Sequence, residues 1–290
     1  VIERDAPLRE TLSALENLTG QFYDIGELEN PDWFPSTDLI NLNSPVLDQS
    51  LARQTVRYSG MDARTQASFF VNEFSWYFTE AAIGSYLMAK RVPDLSAENI
   101  ALRFSTYTWH EDGESGEAER LDVRFLSGRF ACLPDDSAAD HPDAQVLPNV
   151  DALRDQLRTT LEAYLTPIID RLYEQTRLSC HAQWLLVADA CAAQFLQIGR
   201  KLGNGEHSQA EGLAFINVAA SPMNNDKTGY IELRYQDQCD TFRARGGCCR
   251  YYTVSETGDD YCSTCVLRKP EDRDAKLQAY MQKKYTAASV

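Results

Sequence analysis

The stretch VDALRDQLRTTLEAYLTPIIDRLYEQTRLSCHAQWLLVADACAAQFLQIGRKLG, residues 150–203, decides the fold class. In its first half Leu153, Leu157, Leu161 and Leu165 recur four apart, which places them on one face of a helix. Pro167 then predicts a kink or a break. In the second half Trp184, Ala188, Cys191, Phe195, Ile198 and Leu202 alternate four- and three-residue steps, and Gly203 ends the run. The reading is two successive helices packed against each other.

Upstream, Leu8, Leu12, Leu15 and Leu18 make a shorter helical stripe that Gly20 closes. From Asp62, read as an N-cap, Phe70, Phe74, Phe78 and Ala81 continue a helix to about Lys90, before Pro93. Residues 26–47, with Pro31, Pro35 and Pro45, read as a loop. The period then changes to two: Leu102 and Phe104 alternate with polar neighbours, as do Leu121, Val123 and Phe125. Between them Glu111 to Glu119 reads as an exposed acidic connection, and Asp135 to Asp143 as a second acidic loop. Alternation returns at Ile231, Leu233 and Tyr235, and Arg273 to Lys284 suits a short terminal helix. The expected fold is α+β, mainly helical with a small antiparallel sheet and a C-terminal cysteine segment. Its parts would be 1–145, 146–228 and 229–290, within one compact unit.

The net charge of −15 is uneven. Residues 240–290 hold nine Lys/Arg against seven Asp/Glu, so all of the acidic excess lies upstream. A nucleic-acid-binding face would need a broad basic surface, and only Arg243, Arg245, Arg250, Arg268 and Lys269 cluster. No run approaches the roughly 18 apolar residues of a membrane helix. The opening Val1-Ile2-Glu3-Arg4-Asp5 shows no basic-then-apolar leader. A cytoplasmic protein is expected, whose thiols stay reduced or bind metal.

Those thiols carry the chemistry. Gly246-Gly247-Cys248-Cys249 is followed after twelve residues by Cys262-Ser263-Thr264-Cys265. Four soft ligands in one short segment suit an iron–sulfur cluster or a zinc ion. Zinc favours paired Cys-x-x-Cys knuckles, and only Cys262/Cys265 forms one. Adjacent Cys248 and Cys249 point apart in extended chain, which two separated irons accept more readily than one tetrahedral ion. Gly246-Gly247 offers the freedom for a sharp turn. On the residues alone both metals remain open.

The other cysteines read differently. Cys180 and Cys191 lie eleven residues apart on one helix, roughly 16 Å, too far for a disulfide. Cys191 and Cys132 read as core fillers, and Cys239 as a spare ligand. The four histidines, His110, His141, His181 and His207, show no ligand spacing. No nucleophile elbow, zinc-protease helix, P-loop or dinucleotide fingerprint is present; Gly203-Asn204-Gly205 follows a helix and reads as a cap and turn.

Arg245-x-x-Cys248-Cys249-x-Tyr251-Tyr252, followed by Cys262-x-x-Cys265, resembles the FhuF-like ferric-siderophore reductases. A looser likeness covers Leu165-Thr166-Pro167-Ile168-Ile169 through Trp184 to Gly203, and Phe74 to Asp94. The spacer departs from the pattern: twelve residues here against the ten common in the family. The stretch Thr253 to Tyr261 reads as a loop that tolerates insertion.

The resemblance implies a [2Fe–2S] cluster on Cys248, Cys249, Cys262 and Cys265. It implies one-electron reduction of siderophore-bound Fe(III), fed by a ferredoxin, flavodoxin or reductase. The acidic charge favours a hydroxamate-type complex over a strongly anionic one. Arg245, Arg250 and Trp184 are the substrate-contact candidates, with Trp109, Tyr251 and Tyr252 as further aromatics. The alternative is a zinc-stabilised four-cysteine binding or regulatory module. A cluster-bearing redox sensor is a third, weakened by the missing basic face.

Overall fold

The computed structural model describes residues 6–111, 114–254 and 261–287. The α+β expectation holds: the described residues form seven α-helices and three small sheets. Helix α1 (Pro7–Thr19) starts on Pro7 and ends at Gly20, whose φ of 78° lets its N–H return to the Glu16 carbonyl at 2.7 Å. Strand β1 (Tyr23–Ile25), strand β2 (Phe34–Pro35) and helix α2 (Val46–Arg57) follow. The span read as a loop therefore ends in a helix, whose buried contacts include only Leu47 and Leu51 among its apolar residues.

Helix α3 (Ala63–Ala89) is capped as expected, with Asp62 accepting the Thr65 N–H at 2.7 Å. Strand β3 (Val92–Pro93) leads to β4 (Ile100–Glu111) and β5 (Glu114–Phe125), which pair antiparallel along their whole length. The acidic stretch Glu114 to Glu119 is thus strand rather than connection, an exposed ribbon running past the core. Strand β1 joins β5 in parallel, so the four-stranded sheet β1-β5-β4-β2 is antiparallel except at one edge. Strands β6 (Phe130–Cys132) and β7 (Ala144–Val146) complete a second sheet with β3. The loop between them is pinned: Asp136 takes both Arg91 Nε, at 2.8 Å, and Nη2, at 2.7 Å.

Helix α4 (Val150–Thr176) runs through Pro167 without a break, and Thr166 returns its hydroxyl to the Glu162 carbonyl. Its five leucines are all buried. Helix α5 (Cys180–Lys201) follows, then α6 (Gly205–Ile216), which the turn at Gly203-Asn204-Gly205 had concealed. Helix α5 touches α4, with Gln183 donating to the Ile169 carbonyl, but lies mainly along α3 and α6. The α3–α4 contact is a stack of rings: Phe78 sits 4.3 Å from Tyr164 and 5.9 Å from Phe74. One hydrophobic core links residues from Ala6 to Met223. The hairpin β8 (Gly229–Tyr235) and β9 (Gln238–Ala244) delivers the chain to the cysteines, and α7 (Pro270–Ala287) closes it. Among the described residues no helix is long and apolar enough to cross a membrane.

Candidate metal centre

After β9 the chain lies flat on α5. A Cβ on Gly247 would stand 2.8 Å from the Leu186 nitrogen and 2.9 Å from the Leu185 carbonyl carbon. One on Gly246 would collide with Thr228 Oγ1 and Asn225 Oδ1. Neither glycine has positive φ, so the pair serves close approach rather than an unusual turn. The expected bend falls later, at Arg250, whose φ is 62°. Both glycines are buried, so the backbone just before the cysteines is covered.

What they approach is Asp189, a fully buried carboxylate in the middle of α5. Its Oδ1 accepts the Gly246 N–H at 2.8 Å and the Thr228 hydroxyl at 2.9 Å. Its Oδ2 accepts the Gly247 N–H at 3.0 Å and Arg245 Nε at 3.3 Å. The Asp189 carbonyl receives Arg243 Nη1 at 2.9 Å. Sequence reasoning missed this residue, although a lone Asp inside the apolar run VADACAAQF was the available signal.

The cysteines follow it, and two of them share one arm of Arg245. Arg245 Nη1 lies 3.9 Å from Cys249 Sγ and 3.8 Å from Cys262 Sγ, while Nη2 bonds Asn72 Oδ1 at 3.2 Å. The Arg250 N–H points at Cys248 Sγ, 3.4 Å away. Cys262 and Cys265 are free thiols joined by a side-chain hydrogen bond, and the Cys265 N–H reaches the Cys262 carbonyl at 3.1 Å. Arg268 Nε holds that same carbonyl at 2.9 Å. Helix α3 forms the opposite wall: Ser68 donates to the Cys249 carbonyl at 2.8 Å, and Thr65 accepts Arg250 Nε at 3.0 Å. Ser68, Thr65 and Asn72 carried no signal in the sequence.

Burial pushes the Cys248 and Cys262 thiols up, and Arg245 opposes that rise at both. Burial would pull Arg245 itself down, but Asp189 and the thiols of Cys249 and Cys262 outweigh it and hold the guanidinium charged. Arg243, dominated by desolvation and then by its neighbour Arg245, is lowered. A metal would displace the thiol protons and benefit from the same N–H donors. The donor type suits a four-thiolate cluster: Cys248, Cys249 and Cys262 are half-buried, Cys265 is buried, and N–H groups are aimed at three of the four sulfurs. Among the described residues no three His, Cys, Asp or Glu side chains stand where one metal ion would bind them together.

The remaining expected residues separate. Arg250 pairs with Asp62 at 3.0 Å, and Trp184 is 6% exposed in the hydrophobic core. Arg245, 9% exposed at its side chain, faces sulfur rather than solvent. Arg245 and Arg250 therefore have carboxylate partners and do not form a free basic surface. Tyr251 packs edge-on against Tyr58, Tyr252 tilts over Tyr261, and Trp109 sits on the exposed ribbon. Cys132 lies within β6 and Cys191 in the core, both fully buried. Cys239 is exposed and bonds Glu232, at the far end of β9. Most of the Thr253–Tyr261 spacer, residues 255–260, lies outside the described residues. A cavity of about 750 Å³ opens between α2 and β4, lined by Phe34, Val46, Gln49, Arg53, Arg103 and Phe104, with no cysteine in its wall.

Comparisons with protein-family models, with curated proteins and with solved structures find no match for this chain.

Proposed function

We propose that the chain is a ferric-siderophore reductase whose Cys248, Cys249, Cys262 and Cys265 hold a [2Fe–2S] cluster. The observation that carries the reading is the Arg245 guanidinium set between Cys249 and Cys262, with the Arg250 N–H on Cys248. Hydrogen bonds to ligand sulfurs are a main lever on cluster potential. Bound there, the cluster would supply one electron to siderophore-held Fe(III), the substrate, which is then released as the weakly held Fe(II).

The chain's own residues prepare that event. Arg245 offsets the negative charge that four thiolates bring, and Asn72 fixes the plane of its guanidinium. Ser68 and Arg268 hold the backbone of the two cysteine pairs at Cys249 and Cys262. The sequence has no nicotinamide or flavin fingerprint, so a ferredoxin, flavodoxin or reductase is the electron source in this reading. A cytoplasmic setting suits free thiols. With −15 overall, a neutral hydroxamate complex approaches more readily than an anionic catecholate.

One observation favours zinc instead: the Cys265 N–H to Cys262 carbonyl turn is the local shape of a knuckle. Anaerobic purification with iron, sulfide and zinc analysis decides between them. Iron and sulfide in equal amounts, a brown colour that bleaches on reduction, and recovery of that colour on adding a ferric hydroxamate are expected. Zinc without sulfide ends the reductase reading and leaves the four-cysteine module.

A further inference from the structure

We propose that Asp189 is a positioning residue that builds the cysteine loop before any metal arrives and aims Arg245 at the sulfurs. A carboxylate enclosed by an apolar helix is strongly disfavoured unless paired and hydrogen-bonded. Asp189 is fully buried, and four donors fill its two oxygens: the Gly246 and Gly247 N–H groups, the Thr228 hydroxyl and Arg245 Nε. None of the four is a thiol. The segment that presents Cys248 and Cys249 is thus anchored by the carboxylate, one and two residues upstream of the first cysteine.

The same carboxylate orients the arginine. The guanidinium is a rigid planar fork. With Nε on Asp189 and Nη2 on Asn72, its plane is fixed by two partners, and Nη1 is left facing Cys249 and Cys262. Charge follows geometry. Asp189 balances Arg245, so the recess presents N–H donors to the sulfurs without a full uncompensated cation.

Opposite substitutions should therefore move a bound cluster in opposite directions, an inference that rests on the cluster reading above. In the full chain reconstituted with ferrous iron and sulfide, Asp189→Asn unmasks Arg245, which favours the more negative reduced state and raises the midpoint. Arg245→Gln removes the cation and lowers it. Each shift should be about tenfold in the one-electron equilibrium, roughly 59 mV, by anaerobic titration followed in the visible. Shifts of equal sign, or none, overturn the aiming role; a plug that merely fills space gives no such split. Should Asp189→Asn hold no cluster, the sign for Arg245→Gln alone decides.

Amide exchange of the unsubstituted, metal-free chain needs neither variant nor cofactor. Gly246 and Gly247 should be protected about 100-fold or more over unstructured peptide, because their N–H groups end on Asp189. Exchange at the peptide rate overturns the preformed loop. A chain that binds zinc and no sulfide removes the reductase reading and leaves this second measurement to judge Asp189.

Discussion

The helical core and the cysteine segment are held by different physics. Around Phe74, Phe78, Tyr164, Leu161 and Val187, side chains are almost wholly buried, and area removed from water does the stabilising. In the cysteine segment only Gly246, Gly247 and Cys265 are buried between Arg245 and Thr253 and between Tyr261 and Arg268. Its place depends on directional bonds to Asp189, Asn72, Ser68 and Thr65. The core should therefore be sensitive to volume, and the segment to atom identity at constant volume.

Phe78→Ala against Cys262→Ser breaks or supports that contrast most directly. Phe78 is fully buried between two other rings, so truncation should cost about 3–5 kcal/mol of global stability while the remaining folded chain still takes up metal. Cys262→Ser changes one atom and should leave the metal-free chain within about 1 kcal/mol while abolishing cluster uptake. Denaturant curves followed by far-UV circular dichroism, beside iron and sulfide analysis, read both quantities. A large stability loss from the serine variant would show that the segment is part of the core.

A polar clamp at the edge of the core tests the contrast from the other side. Arg91 and Asp136 are 10% and 7% exposed at their side chains and meet at 2.7 Å. Removing one partner with Asp136→Asn should cost about 3 kcal/mol at neutral pH. The hydrogen bond from Arg91 holds the Asp136 carboxyl below its ordinary value. A depressed folded-state pKa means stability that is present above the unfolded value of about 3.9 and is lost as pH falls through the lower folded one. Wild type should lose that increment on acidification, and Asp136→Asn should not. Equal acid slopes would place the pair outside the stabilising network.

Gly247→Ala is expected to come next in size. Its added Cβ meets the α5 backbone, which has no rotamer to change, so about 1–3 kcal/mol of overpacking is expected together with reduced cluster occupancy. Full occupancy with unchanged stability would mean that the loop can lift from α5 at little cost.

The same difference explains what the sequence revealed. Helices α1, α3, α4 and α5 were legible because each buries a regular apolar stripe. Helix α2 was not, since Val46, Leu47 and Leu51 are too few to outweigh Pro45, and α6 keeps its apolar residues near one end. The described parts of the ribbon, 106–110 and 114–119, are exposed or half-buried throughout, so nothing forced alternation there. The cysteines stood out by type. Their support did not: Asp189, Ser68 and Asn72 are remote in sequence, and only the packing of α5 against α3 brings them to the loop.

Asp62 belongs to both regions, and the smallest predicted effects separate its two duties. It caps α3 through the Thr65 N–H and pairs with Arg250 at 3.0 Å, with 59% of its side chain exposed. Asparagine caps nearly as well as aspartate, so Asp62→Asn removes the charge pair and keeps the cap. At this exposure solvent screens the pair, and the loss should be about 0.5 kcal/mol or less, vanishing near 1 M salt where the screening length is about 3 Å. Asp62→Ala also removes the cap and should cost about 1 kcal/mol more, with little dependence on salt. Arg250 keeps its bond to Thr65 in both variants, so its N–H stays on Cys248 and the cluster spectrum should not move. A spectrum altered by Asp62→Asn alone would show that the surface charge reaches the sulfurs through Arg250. Helix α3 would then be a tuning element of the centre as well as its wall.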